Sequence, residues 1–367
     1  MVTSARTLTP VASAFLHCLR ALLSQAVLFG HVLALNGLLA AGSLWADLPS
    51  FAVLCFFVLS GFVISWSTFQ KGRDNGLNNY LIDRFARLWT VVVPTLFITL
   101  IIGLAGWIIA GEPPFEIHPW HFLAVLTMQQ DNPLLLELKY NLPDTWWFDI
   151  VDFFGENLPL WSLSLEWWYY VFFGYWFYKT GTRPGAIPAA LLLLSLPFVI
   201  GYAFLPGRAW HGLTFIWFAG VAVCAGYIFL LSKKPRAAHW GIAAAGMLIL
   251  TAIAFKEWRM WAIVPFTAFF GCALTSFSNA QRGWKRAFDS LRIPADYSFS
   301  LYCIHYPVLL TIHHYIGPSI GAAISGFILS NAVAYFMYRL FESRHKEVAL
   351  FLKRRLAVPL SSGAKAQ

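Results

Sequence analysis

Charge is what this sequence has least of. Charged residues make up 12% of the 367-residue chain, about half the quarter that a soluble domain carries. Against that stand 59% hydrophobic residues, with 17 Trp and 33 Phe, more aromatic bulk than one water-soluble core could bury. Mean hydropathy is +0.63. An ordinary soluble enzyme, a disordered chain and a nucleic-acid-binding module are therefore excluded. Cysteine is scarce as well. Cys18, Cys55, Cys224, Cys272 and Cys303 all fall in apolar stretches without paired spacing, so neither a disulfide framework nor a metal site is expected. No internal repeat stands out, which weakens a transporter reading, since many transporter folds carry repeated halves. No appended soluble domain is expected either.

What is there reads as an all-α polytopic membrane protein. A helix crosses the hydrocarbon core in about 20 residues. Ten stretches qualify, at about 14–41, 48–67, 87–110, 158–178, 186–205, 209–231, 239–255, 258–279, 297–316 and 318–341. The apolar piece His121 to Met128 is too short to span and reads as a re-entrant or interfacial segment. With the amino terminus in the cytoplasm, outer loops hold only Lys139, Arg208, Lys256 and Arg259 of the 26 Lys and Arg. The rest, such as Lys71, Arg73, Lys233, Lys234, Arg282, Lys285 and Arg354, fall on the inner side, as the positive-inside rule requires. Both termini are thus expected in the cytoplasm. The net charge of +9 is a topology signal and an attraction to anionic membrane lipid. The run from Ala21 to Ala41, interrupted by Asn36, exceeds the h-region of a signal peptide and reads as a retained span. The outer loop 111–157 holds eight of the 17 acidic residues, with Trp120, Trp146 and Trp147. Its rings stack on sugars or bases, or else form an interfacial aromatic belt.

A charged side chain near a helix centre costs about 2.5–3.5 kcal/mol even on lenient insertion scales. Ionisable groups inside spans are therefore functional candidates. Arg20 and His31 are eleven residues apart in the first span, about three turns, and so share a face. Arg20 alone would snorkel to the inner headgroups. His31, set among Phe29, Gly30 and Val32, has no local reason to be there and suits a general base. Arg84 and Arg87, spaced i,i+3 at the expected amino end of the third span, read as an anion site or as ordinary anchoring. Glu166 lies deeper than Ser162 in the fourth span. It needs a partner such as His31, His305 or an Arg, or else makes a structural interhelical hydrogen bond. In the ninth span Tyr302 and His305 share a face, and Pro307 frees one backbone carbonyl. His305 either supports a neighbouring group or lines a ligand pocket.

Together these segments resemble the acyltransferase-3 family of integral membrane acyltransferases, in order and over essentially the whole chain. The likeness rests on Arg20 and His31 in LRALLSQAVLFGHV, on CFFVLSGFVIS from Cys55 to Ser65, and on the pair Arg84 and Arg87. LWSLSLEWWYYVFF around Glu166 and DYSFSLYCIHYPVLL around His305 complete it. Two positions depart from the family pattern. Trp167 stands where members often carry a second acidic residue, and Glu342-Ser343-Arg344-His345 replaces the usual Glu-Arg-Pro. The resemblance implies a single transmembrane acyltransferase domain over 1–345, with 346–367 a basic cytoplasmic tail. It also implies transfer of an acyl group, commonly acetyl from acetyl-CoA, to a hydroxyl of a carbohydrate or related acceptor. Acyl-CoA is then a cosubstrate, with no bound cofactor, no metal and no nucleic acid, in a bacterial-type inner membrane. The general base implied by the family is His31, and Glu166 is read as the carboxylate that holds it. Arg20, Arg84 and Arg87 are read as acyl-CoA-binding, and Ser162, Ser164, Tyr302 and His305 as hydrogen-bonding to acceptor or oxyanion. The competing readings are a proton-coupled transporter using His31, Glu166 and His305 as a relay, and a sensor without catalysis.

Overall fold

The computed structural model describes residues 8–39, 45–141, 151–179, 186–204, 212–230, 258–278 and 282–356. The expected span 239–255 and the loop residues Trp146 and Trp147 lie outside them. Among the described residues all regular structure is helical. The main helices are α1 (Pro10–Leu35), α2 (Leu48–Lys71), α3 (Gly76–Ala110), α4 (Pro119–Leu126), α5 (Pro133–Asn141), α6 (Trp161–Lys179) and α7 (Ala186–Phe204). There follow α8 (Leu213–Leu230), α9 (Trp258–Phe277), α10 (Arg282–Asp289), α11 (Arg292–Asp296), α12 (Ser298–Ile316), α13 (Ile320–Leu340) and α14 (His345–Arg355). Among the described residues, five helical stretches are long and apolar enough to cross a bilayer: Pro10–Leu35, Leu48–Lys71, Arg73–Ala110, Ala186–Phe204 and Ile320–Arg355. Leu213–Ile228 and Ile263–Phe277 are shorter apolar helices.

The chain divides into two compact units. One comprises 1–30, 39–70 and 215–298. Its core is aromatic: Phe15 of α1 meets Phe277 at 4.9 Å and Phe288 at 5.7 Å between ring centroids. Phe62 of α2 packs edge-on against Phe270 and Tyr227. Helices α2 and α8 touch backbone to backbone. A Cβ on Gly61 would run into the Trp217 carbonyl, and one on Gly220 into that of Val58. Apolar side chains gain little by leaving lipid for protein, so small residues that admit close backbone approach carry much of such a contact.

The second unit comprises 31–38, 71–214 and 299–367. Helix α3 begins at Gly76, well before the start at 87 that hydropathy suggests. Its first turns bury Leu77, Asn79, Tyr80 and Ile82 and leave Asn78 exposed, so this polar stretch is a packed extension of the span. Against Ile82 and Ala86 lies α14, through Val348, Ala349 and Leu352. Asp83 accepts Lys71 at 2.7 Å and Lys353 at 2.5 Å. Asn36, the residue that interrupts the first apolar run, accepts from the Ser319 N–H at 3.2 Å and so ties the end of α1 to the start of α13.

The short apolar segment expected near 121–128 is helix α4. Its His121, Ala124 and Val125 are buried, as is Met128 beyond it. Pro119 occupies the first turn, where its missing N–H costs nothing. The carbonyls at its far end are answered by indoles. Trp89 Nε1 donates to Leu126 O at 3.1 Å and Trp168 Nε1 to Met128 O at 2.6 Å. Gln130 Nε2 donates to Leu160 O at 3.1 Å. Met128 and Asp131 adopt left-handed φ values of 54° and 57°, so the chain turns sharply just where those side chains hold it.

Gly61→Val or Gly220→Val should push α2 and α8 apart. The expected loss is about 3 kcal/mol, the upper part of the overpacking range, because the colliding atoms are backbone. Thermal unfolding of the purified variants in detergent measures it, with Gly226→Val as control, since a Cβ there meets open space.

Candidate functional site

The site is built on α12. Pro307 has no N–H, so the Cys303 carbonyl one turn back loses its helical partner. Asn157 Nδ2 donates to that oxygen at 2.8 Å, and both residues are buried. Two residues further on, His305 is fully buried. Its Nδ1 lies 3.0 Å from Leu301 O and 2.9 Å from Tyr302 O. Its Nε2 lies 3.0 Å from Nδ1 of His31. The two rings are nearly parallel, at 19° with centroids 5.2 Å apart, and so meet edge to edge in the plane of their N–H bonds and lone pairs. Tyr306 closes on His31 from the side at 5.2 Å and 78°.

These contacts determine where the protons are. Carbonyl oxygens only accept, so Nδ1 of a neutral His305 carries its hydrogen and Nε2 carries the lone pair. The His31 nitrogen facing that lone pair must then be the donor. His31 is therefore the Nδ1–H tautomer, with its lone pair on Nε2. No other hydrogen bond to His31 is made among the described residues.

The remaining candidates occupy distinct positions. Tyr302 donates its hydroxyl to Pro159 O at 2.6 Å, and Ser162 Oγ lies 2.6 Å from the same hydroxyl. Ser162 Oγ also lies 3.4 Å from Pro159 O, so the serine, the tyrosine hydroxyl and that carbonyl form one hydrogen-bonded group. Ser164 donates to Trp161 O at 2.8 Å, within its own helix. Glu166 Oε1 accepts from the Tyr170 hydroxyl one turn on. Arg84 lies over the Tyr80 ring, 5.5 Å from its centroid. Arg87 pairs at 2.7 Å with Glu342, which is 1% exposed, and lies over Phe299. Both arginines sit two turns and more inside α3, so the helix dipole at its amino end does not assist them. In the other unit, Arg20 Nη2 donates to Ser298 Oγ at 3.1 Å. Among the described residues no three His, Cys, Asp or Glu side chains converge as metal ligands.

A model of the acyltransferase-3 family, described as an acyltransferase domain, matches residues 13–339. The chain belongs to that family. Acyltransferase MdmB of Streptomyces mycarofaciens is 25% identical over 305 residues, covering 75% of this chain and 72% of that protein. No solved structure matches. The protein is thus an acyltransferase with membrane-type helices. Of its two departures from the family pattern, the one at Trp167 has local surroundings that account for it. Trp167 is buried edge-on against Trp89, 4.8 Å between centroids, where an acid would have no water. Glu342, at the altered close of the last span, accepts the N–H and hydroxyl of Ser300 at 3.0 and 2.6 Å. It thereby answers a first-turn N–H of α12 while it pairs with Arg87.

Asn157, Tyr306 and Glu342 were not among the sequence candidates. Pro307 was the available signal for Asn157, because an orphaned carbonyl requires a donor. A carboxylate beyond the last span was the signal for Glu342. Tyr306 gave none apart from its place beside His305.

Glu342→Ala should leave Arg87 unpaired and the start of α12 unanswered. Breaking a buried pair from one side costs about 3–5 kcal/mol, and the low end is expected because Arg87 is partly exposed. Denaturant or thermal unfolding of the variant in detergent measures the loss.

Proposed function

We propose that this acyltransferase is acyl-CoA-dependent and acts in a cell inner membrane, with ten spans and both termini cytoplasmic. It moves an acyl group, acetyl in the first instance, from cytoplasmic acyl-CoA to a hydroxyl of a carbohydrate or related extracytoplasmic or lipid-linked acceptor. The distribution of Lys and Arg supports the orientation, and the family supports the reaction class. The observation that carries the chemistry is the open Nε2 of His31, whose other nitrogen is held by His305.

In this reading His31 Nε2 takes the proton of the acceptor hydroxyl as its oxygen attacks the thioester carbonyl. The tetrahedral intermediate collapses with cleavage of the C–S bond. The same imidazole, now doubly protonated, returns the proton to the sulfur, and the products are the ester and free CoA thiol. Arg84 supplies charge for the CoA phosphates, and Arg87, held by Glu342, sets the local field and the position of α12. Ser162 offers lone pairs to an acceptor hydroxyl. Glu166, bonded to Tyr170, supplies a carboxylate of the kind that binds sugar hydroxyls.

Purified protein in nanodiscs with radiolabelled acetyl-CoA tests the proposal. Wild type should hydrolyse or transfer the label, and His31→Ala should lose about 100-fold or more, the range for general acid–base catalysis. Arg84→Met should raise the KM for acetyl-CoA about tenfold with kcat nearly unchanged, as expected when ground-state binding is removed. Turnover that survives His31→Ala would remove the base, and absence of CoA binding by wild type would remove the donor.

A further inference from the structure

The His31 imidazole needs a partner that selects its tautomer, and the side chain in contact with its Nδ1 is another histidine rather than a carboxylate. We infer that His305 is a positioning residue: its Nδ1–H is committed to its own helix, so its Nε2 accepts from His31 and leaves the His31 Nε2 open as base. The inference rests on the proposed reading of His31 and deepens it.

Three features hold His305 in this role. Its Nδ1–H is shared by two carbonyls, Leu301 O and Tyr302 O, each of which has a second lone pair for the helix ladder. The other tautomer would set the Nδ1 lone pair against those oxygens, which repels. One turn of backbone around it is pinned by Asn157 on Cys303 O, so the helix cannot relax toward the orphaned carbonyl. Finally, the ring is fully buried, so no water competes for the His31 bond. His305 touches neither donor nor acceptor in this scheme. It acts through His31.

A neutral partner suits the surroundings. A carboxylate at that depth is costly unless paired, whereas two neutral imidazoles fix the tautomer without any net charge in the empty site. Glu166 is then not required to orient His31.

The test is nitrogen NMR on histidine-labelled protein in nanodiscs, with His31→Gln and His305→Gln used to assign the two rings. At neutral pH both rings should be Nδ1–H tautomers. In His305→Leu the His31 ring should shift toward the Nε2–H form, and kcat should fall about 100-fold with the KM for acetyl-CoA within about threefold. His305→Gln, whose amide oxygen can accept from Nδ1–H, should restore the His31 tautomer and bring kcat back to within about tenfold of wild type. An Nε2–H tautomer of His31 in the wild type would overturn the inference without reference to activity. So would equal losses in the Leu and Gln variants, the result of a merely structural role. Nδ1–H tautomers in a wild type that turns over no acyl-CoA would support the positioning role and sink only the donor assignment.

Discussion

A backbone carbonyl or N–H in hydrocarbon costs several kcal/mol unless the chain itself answers it. Much of this structure consists of such answers. Pro307 orphans the Cys303 carbonyl, and Asn157 reaches it from the turn that precedes α6. Helix α4 ends within a few residues of a left-handed turn, and Trp89 and Trp168 supply donors to the two carbonyls exposed there. Each of these bonds joins the 111–160 segment to α3, α6 or α12. Satisfying the backbone and fixing the position of the site are therefore the same act. A loop bound only by apolar contact would have no such registration, since lipid and Leu side chains are nearly equivalent partners.

The few buried charges follow the same rule. Glu342 distributes its two oxygens between Arg87 and the first turn of α12. As a contribution to stability such a pair is weak, because the desolvation of two ions offsets most of their attraction. Its value is positional. The carboxylate sets one end of α12, Asn157 sets the turn that follows, and His305 lies just beyond both. The His305 ring is thus oriented by the carbonyls of Leu301 and Tyr302, on a helix that Asn157 and Glu342 hold from distant parts of the chain.

That distance explains what could and could not be read beforehand. The apolar runs made α2, α7, α8 and α13 legible to within a few residues, because a span must be long and apolar whatever it packs against, whereas α1 ends at Leu35, short of the expected 41. The start of α3 was not, since Gly76 to Arg84 is a polar stretch that packs all the same, with Asn79 buried beside Leu77 and Tyr80, and hydropathy does not register it. Arg84 and Arg87 consequently looked like residues at a helix terminus. At the site, the expense of a buried imidazole singled out His31 and His305 separately, but no periodicity relates residues that belong to different helices. Glu166 illustrates the converse. Its depth announced that it needs a partner, and one such partner, Tyr170, stands one turn away in the same helix.

In the proposed reaction a histidine orients a histidine, and the choice has a chemical consequence. A carboxylate partner would stabilise the imidazolium formed when the acceptor proton is taken, but it would hold a charge in the empty site as well. A neutral imidazole stabilises the imidazolium less, through one charge-assisted hydrogen bond. Such a weaker base is sufficient only if the electrophile is already activated. A thioester carbonyl is, because sulfur donates little electron density to it and leaves readily as a thiol. An amide or simple ester donor would ask for more help than His31 and His305 supply. The pair thus matches the donor class proposed for this protein.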